Sequence, residues 1–118
     1  MGIVLAPGTA NASTGGGCGS DTVAGGSVKA CISASGANLE PDGYVLSNSE
    51  CSTVHIILTD QTTKTNVLDY NVGCGLGHIG PFAYKGVNGH KYVTLVDLIT
   101  YDGSTLAVAV SPTEAFSD

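Results

Sequence analysis

The sequence predicts an all-β protein, an antiparallel β-sandwich of about six or seven strands on the scale of an immunoglobulin domain. Apolar residues recur at every second position through several short runs, the period of a strand with one buried face. Turn pairs such as Asp-Gly and glycine-rich breaks separate those runs at close intervals. No convincing helical period follows residue 13, and the short connections leave no room for the helical crossovers that parallel strands need.

The first twelve residues, "MGIVLAPGTANA", are too short to cross a bilayer. They read as the tail of a secretory signal peptide: "GIVLA" ends an apolar stretch, and Ala10-Asn11-Ala12 has the small-x-small pattern that precedes cleavage. A basic region ahead of it is missing, and the alternative is a weakly paired N-terminal segment. Residues 13–26 then form a flexible, glycine-rich arm, uncharged apart from Asp21, and residues 27–118 the sandwich. In "SVKACISAS", Val28, Ala30, Ile32 and Ala34 share one face. "ANLEPDG" breaks that strand with a proline and an Asp-Gly turn, and "YVLS" makes a short second one. "CSTVHIILTD" and "TNVLDYNVGC" pair as a hairpin across "QTTK", with Val54, Ile56 and Leu58 on one side. An irregular stretch follows from Gly73 to Gly89, and then "HKYVTLVDLITY", the longest strand, turns at Asp102-Gly103 into "STLAVAVS". The tail "PTEAFSD" is expected to fray.

Four cysteines allow three pairings, and spacing alone does not choose among them. Hairpin geometry favours one set. Placing Asp60 opposite Thr65 carries Cys51 to Cys74, and folding the chain at Ala24-Gly25 carries Cys18 to Cys31. Opposed strand positions come close enough for a disulfide, and an oxidising, extracellular compartment would let both form. Each bridge closes a loop worth about 3 kcal/mol in the chain-entropy model. Structural zinc is the competing use of the thiols, but no C-x-x-C pair occurs and the histidines lack finger spacing.

Ten acidic residues stand against four basic ones, all lysine, for a net charge of −6. Nucleic-acid binding needs clustered Lys and Arg, so that class is excluded, and no membrane span is present. Catalysis has no signature here: no G-x-S-x-G elbow occurs, no histidine sits in a recognisable motif, and no cofactor is expected. His78 and His90 bracket the glycine-rich loop and could meet at its mouth with Asp97 to hold a transition metal, which would make a small metal-dependent enzyme. Glu40, Asp42 and Glu50 lie near one another but lack the calcium-loop pattern. His55 falls within a strand, where a packed or edge-facing imidazole is the commoner role.

Two segments suit partner binding better. The Gly73–Gly89 loop is long for a compact β domain and carries Phe82 and Tyr84. Those rings could anchor a partner, make the loop the reactive segment of a hydrolase inhibitor, or cap an open end of the sandwich. In the arm, Ser13, Thr14, Gly15, Gly16, Gly17 and Gly19 lack bulk and could enter a narrow cleft or add a strand to a partner sheet. A flexible linker is the plain alternative.

The export-like start, "GGSVKACISASG", "PDGYVLSNSEC" and the hairpin cysteines resemble small secreted proteins of Streptomyces-type actinobacteria. Within that set the chain looks like the small adaptor subunit of umbrella toxin particles. In that family a compact secreted β protein joins a toxin-bearing stalk to a lectin subunit. The resemblance implies that Ser13–Asp21 is an arm entering a cleft of the lectin and that the sandwich body meets the stalk. It carries over no individual contact residue.

Overall fold

The computed structural model describes residues 13–118, so the signal-peptide reading of residues 1–12 lies outside the described residues. Eleven strands succeed one another: β1 (Thr14–Gly15), β2 (Gly17–Val23), β3 (Gly26–Ser35), β4 (Asn38–Ser47), β5 (Thr53–Asp60), β6 (Thr65–Asn71), β7 (Gly77–Ile79), β8 (Tyr84–Lys85), β9 (Lys91–Ile99), β10 (Thr105–Val110) and β11 (Glu114–Ala115). Seven of them have six or more residues, and four are short links of two or three. All pairings are antiparallel, and no helix occurs among the described residues. The first sheet runs β1-β11-β9-β5-β6, with β10 also on β9; the second runs β2-β3-β4-β7, with β8 also on β4.

Alternation builds the core between the sheets. Val28, Ala30 and Val45 from the second sheet meet Val54, Ile56, Val96, Leu98, Ala107 and Ala109 from the first. A smaller cluster of Ile32, Leu39, Leu58, Tyr92 and Phe116 fills the other end. Full burial of one large apolar side chain is worth roughly 1.5–3 kcal/mol, so these two clusters dominate the stabilisation of the fold. Both expected disulfides are formed, Cys18–Cys31 and Cys51–Cys74. Asp60 pairs with Thr65 as the hairpin argument required, and Cys18 pairs directly with Cys31 across the Ala24-Gly25 turn.

Several local expectations need correction. Residues 13–26 are no free arm. Strand β2 pairs along its whole length with β3, and β1 pairs with β11. A composition without bulk, which looked like flexibility, here permits close packing: a Cβ on Gly19 would collide with the Val110 carbonyl of β10. The Asp21 carboxylate fixes the same seam by accepting the Val108 amide at 3.0 Å. The "ANLEPDG" break is also absent, because β4 runs through it and the chain turns earlier, at Gly36-Ala37. Pro41 pairs with Ile32 in the ladder, and its carbonyl accepts the Phe82 amide on the other side at 3.0 Å. A strand residue's N and C=O point the same way, so the missing N–H faces the Phe82 side and costs β3 nothing. Gly43 serves packing rather than turning, since a Cβ there would lie 2.7 Å from Val96 Cγ2. The tail is not frayed either: β11 joins β1 to β9, and Phe116 is buried in the smaller cluster.

Candidate functional site

Each histidine takes an aspartate of its own, in a separate place. His90 Nδ1 lies 2.6 Å from Asp60 Oδ2, at the end of β5. Burial pushes the Asp60 carboxyl up, but the His90 bond and the Thr63 and Thr62 amides outweigh it and hold it below the usual aspartate range. His78 Nε2 lies 2.6 Å from Asp42 Oδ2 on the outer face of the second sheet. Its ring stacks on Tyr44 with centroids 4.6 Å apart, and Lys29 Nζ sits 5.4 Å from the same tyrosine ring. His55 Nδ1 lies 3.0 Å from Asp69 Oδ1 on the outer face of the first sheet, where its register partner on β9 is Asp97.

The metal arrangement from His78, His90 and Asp97 is therefore not assembled. The three residues stand on different elements, and two of them are committed to other partners. Glu40 and Asp42 share the outer face of β4, while Glu50 lies in the turn beside Gly25, so those carboxylates do not converge. Among the described residues no three potential ligands come together.

The Gly73–Gly89 segment is less of a loop than its glycines imply. It contributes β7 and β8 to the second sheet, both paired to β4. Phe82 is half-buried against the main core and 4.8 Å from the Tyr70 ring. Tyr84 packs on the smaller cluster, 6.3 Å from Tyr92. Both aromatics thus close the side of the sandwich between β6 and the second sheet. The buried Tyr92 hydroxyl, pushed up by burial, accepts the Val87 amide at 3.0 Å and secures the end of this segment.

The N-terminal residues wall a groove instead. Ser13 Oγ donates to the Ser117 carbonyl at 3.1 Å and accepts the Ser117 amide at 2.9 Å. Thr14 and Gly15 pair with Ala115 and Glu114, and the Gly16 amide reaches the Thr113 carbonyl. Gly17 begins β2, and the chain has by then passed from one sheet to the other. An open groove of about 900 Å³ follows this crossing, bounded by Ser13, Gly15, Gly17, the Cys18–Cys31 bridge, Ser33, Asp42, Tyr44 and Glu114. Glu114 is only 4% exposed, and burial pushes its carboxyl above the usual range. Sequence reading missed it by treating the tail as loose, although Glu114 and Phe116 stand two apart as residues on one strand face must.

A second unpredicted feature lies on the outer face of the first sheet. Register places Ile57, Leu95 and Val110 side by side across β5, β9 and β10. Val108 follows in the next row, opposite Asp97 and His55, and Ile99 in the one after, opposite Thr53; Val108 and Val110 are 36% and 48% exposed. Within this apolar strip, Asp97 Oδ1 is buried without a hydrogen-bond partner. Its carboxyl is raised by burial, with His55 opposing and Asp69 reinforcing the shift. No protein-family model matches the chain, and no curated protein aligns significantly with it.

Proposed function

We propose that this protein is a secreted, non-enzymatic interaction module, an adaptor that holds larger secreted proteins together. The carrying observation is the apolar strip on the outer face of the first sheet. An antiparallel sheet with one face on the core normally keeps its other face polar. Here Ile57, Leu95, Ile99, Val108 and Val110 occupy positions that alternation assigns to solvent. Apolar side chains gathered on an outer face, with Val108 and Val110 exposed, favour a protein-binding role for it.

Export is supported by the two formed bridges, which persist in oxidising compartments. A binding role is also favoured by the dispersal of the three His–Asp pairs, which stand at separate places among the described residues. The likeness to umbrella-particle adaptors, with a lectin subunit and a toxin-bearing stalk as partners, fits a body that offers separate surfaces on its two sheets. It requires one change. Ser13–Asp21 is built into the sheets, so the contacts assigned to an inserting arm over those residues pass to the sandwich body. An inhibitor acting through the Gly73–Gly89 segment is less favoured, because Phe82 and Tyr84 turn inward.

Affinity capture from the culture fluid of the source organism tests the proposal. The wild-type protein is expected to retain a larger secreted protein, and a Leu95→Lys, Val110→Lys variant with an unchanged fold is expected to lose it. Equal capture by that variant would remove the apolar strip from the account.

A further inference from the structure

The groove at the β1–β2 crossing has a chemistry different from that of the apolar strip. Its acidic groups are Asp42, Glu114 and Asp118, and no lysine lines it. The chain contains no arginine, so an arginine counter-charge for these carboxylates has to come from another molecule. Asp42 already has His78 at 2.6 Å, but Glu114 is different. It points inward from β11 at the open end of the sandwich, 96% removed from water by its 4% exposure. Burial alone accounts for the upward push on its carboxyl, with no compensating bond from the described residues. A Cβ on Gly16 would collide with that carboxyl and with the Ile32 carbonyl, so the glycine is what lets the acid sit there.

A buried, unpaired carboxyl is costly, and a charge-assisted bond from a cation offsets the cost. We propose that this groove binds a positively charged side chain, foremost an arginine, presented by an extended segment of another polypeptide, with Glu114 as its counter-ion. The guanidinium fork matches a carboxylate bidentately, which an ammonium point charge does not. A polypeptide fits the shape of the site. A volume of about 900 Å³ exceeds a single side chain, and the walls at Gly17 and Gly36 present bare backbone, with open space where a Cβ on Gly36 would stand and only Pro112 Cγ, 3.8 Å away, near one on Gly17. Those glycines let a second chain approach closely.

The test is titration of isotope-labelled protein, followed by amide NMR shifts, with three probes: a Gly-Ser-Arg-Ser-Gly peptide, its citrulline counterpart, and guanidinium ion alone. The arginine peptide is expected to give saturable shifts at Gly15, Gly16, Gly17, Ser33 and Glu114. The uncharged citrulline peptide should bind at least about tenfold more weakly, as should the arginine peptide to a Glu114→Gln variant, in line with loss of one charged hydrogen bond. Equal binding of the citrulline peptide, or no saturable shift at millimolar arginine peptide, would overturn the proposal. Guanidinium ion binding as tightly as the peptide would also overturn it, because the ligand would then be a small cation. Should Glu114→Gln fail to fold, the side-chain carbon signal of Glu114 in the wild-type protein decides. Its titration midpoint is expected to fall when the arginine peptide is present, and an unmoved midpoint contradicts the contact.

Discussion

The outer faces of the two sheets obey different rules. On the second sheet, Lys29, Asp42, Tyr44 and His78 look outward and are tied together by stacking and a 2.6 Å His–Asp contact. On the first, Ile57, Leu95, Ile99, Val108 and Val110 look outward around Asp97, beside a polar border of Thr53, His55 and Thr59 bonded to β6. Both sheets contribute to the same core, so the difference is not a requirement of folding. The proposed function assigns it to what each sheet meets outside. A polar face that satisfies itself gains little from apolar covering, whereas an apolar one gains by it.

The largest expected effect separates the two bridges, one of which belongs to each sheet. Cys18–Cys31 joins strands already paired in the second sheet, and Cys18 is exposed. Cys51–Cys74 ties segments beyond the ends of the β5–β6 ladder, and Cys51 is part of the main core. Replacing Cys51 and Cys74 by alanine is expected to cost about 4 kcal/mol, against about 3 for Cys18 and Cys31. Urea midpoints in the reverse order would contradict this reading.

Next come the His–Asp pairs. Asp60→Ala is expected to cost about 2 kcal/mol at neutral pH, since it strips a charged acceptor from the Thr62 and Thr63 amides and from His90. The folded-state carboxyl is held low, so this contribution is complete above the ordinary aspartate value of about 3.9 and is lost as pH falls through the lower folded value. The variant and the wild type should therefore converge in acid. Asp97→Thr should act in the opposite direction and raise stability by about 1 kcal/mol at pH 7, by removing a half-buried carboxylate whose Oδ1 has no partner. Here the folded carboxyl is raised, so the wild type loses stability as pH climbs from the ordinary value through the folded one. The advantage of the variant should vanish below about pH 3.9, and thermal melts across pH would show it. The smallest effect belongs to Asp42→Ala on the polar face, roughly 0.5 kcal/mol for a partly exposed pair. A larger loss would mean that this face is more than a self-satisfied surface.

Much of this architecture was legible in the chain. Val54, Ile56 and Leu58 alternate cleanly, and the Asp60–Thr65 register followed from the position of the turn. Both expected disulfides are formed, although a bulge at Leu58–Thr59 shifts the β5–β6 register by one before it reaches Cys51 and Cys74. What escaped was everything in which composition imitates flexibility. Residues 13–26 and "PTEAFSD" lack bulky alternation, yet they are ordered by the β2–β3 hairpin and by the long-range pairing of β1 with β11. No local signal reports contacts between segments 100 residues apart, such as Ser13 with Ser117. Proline and Asp-Gly in "EPDG" gave a false break for the same reason: the absent N–H of Pro41 and the bare Cα of Gly43 answer to neighbouring strands. Of the expected binding residues, Ser13, Gly15 and Gly17 do border the groove, but Glu114 and the apolar strip required the register of a finished sheet to be seen.

The most direct measurement is side-chain footprinting by carbene labelling, comparing the free protein with the complex recovered from culture fluid. Protection is expected to concentrate on Ile57, Leu95, Ile99, Val108 and Val110, with Tyr44 and Leu46 on the other sheet less affected. If those five side chains label equally in the free and bound protein, the outer face of the first sheet is not where a partner docks.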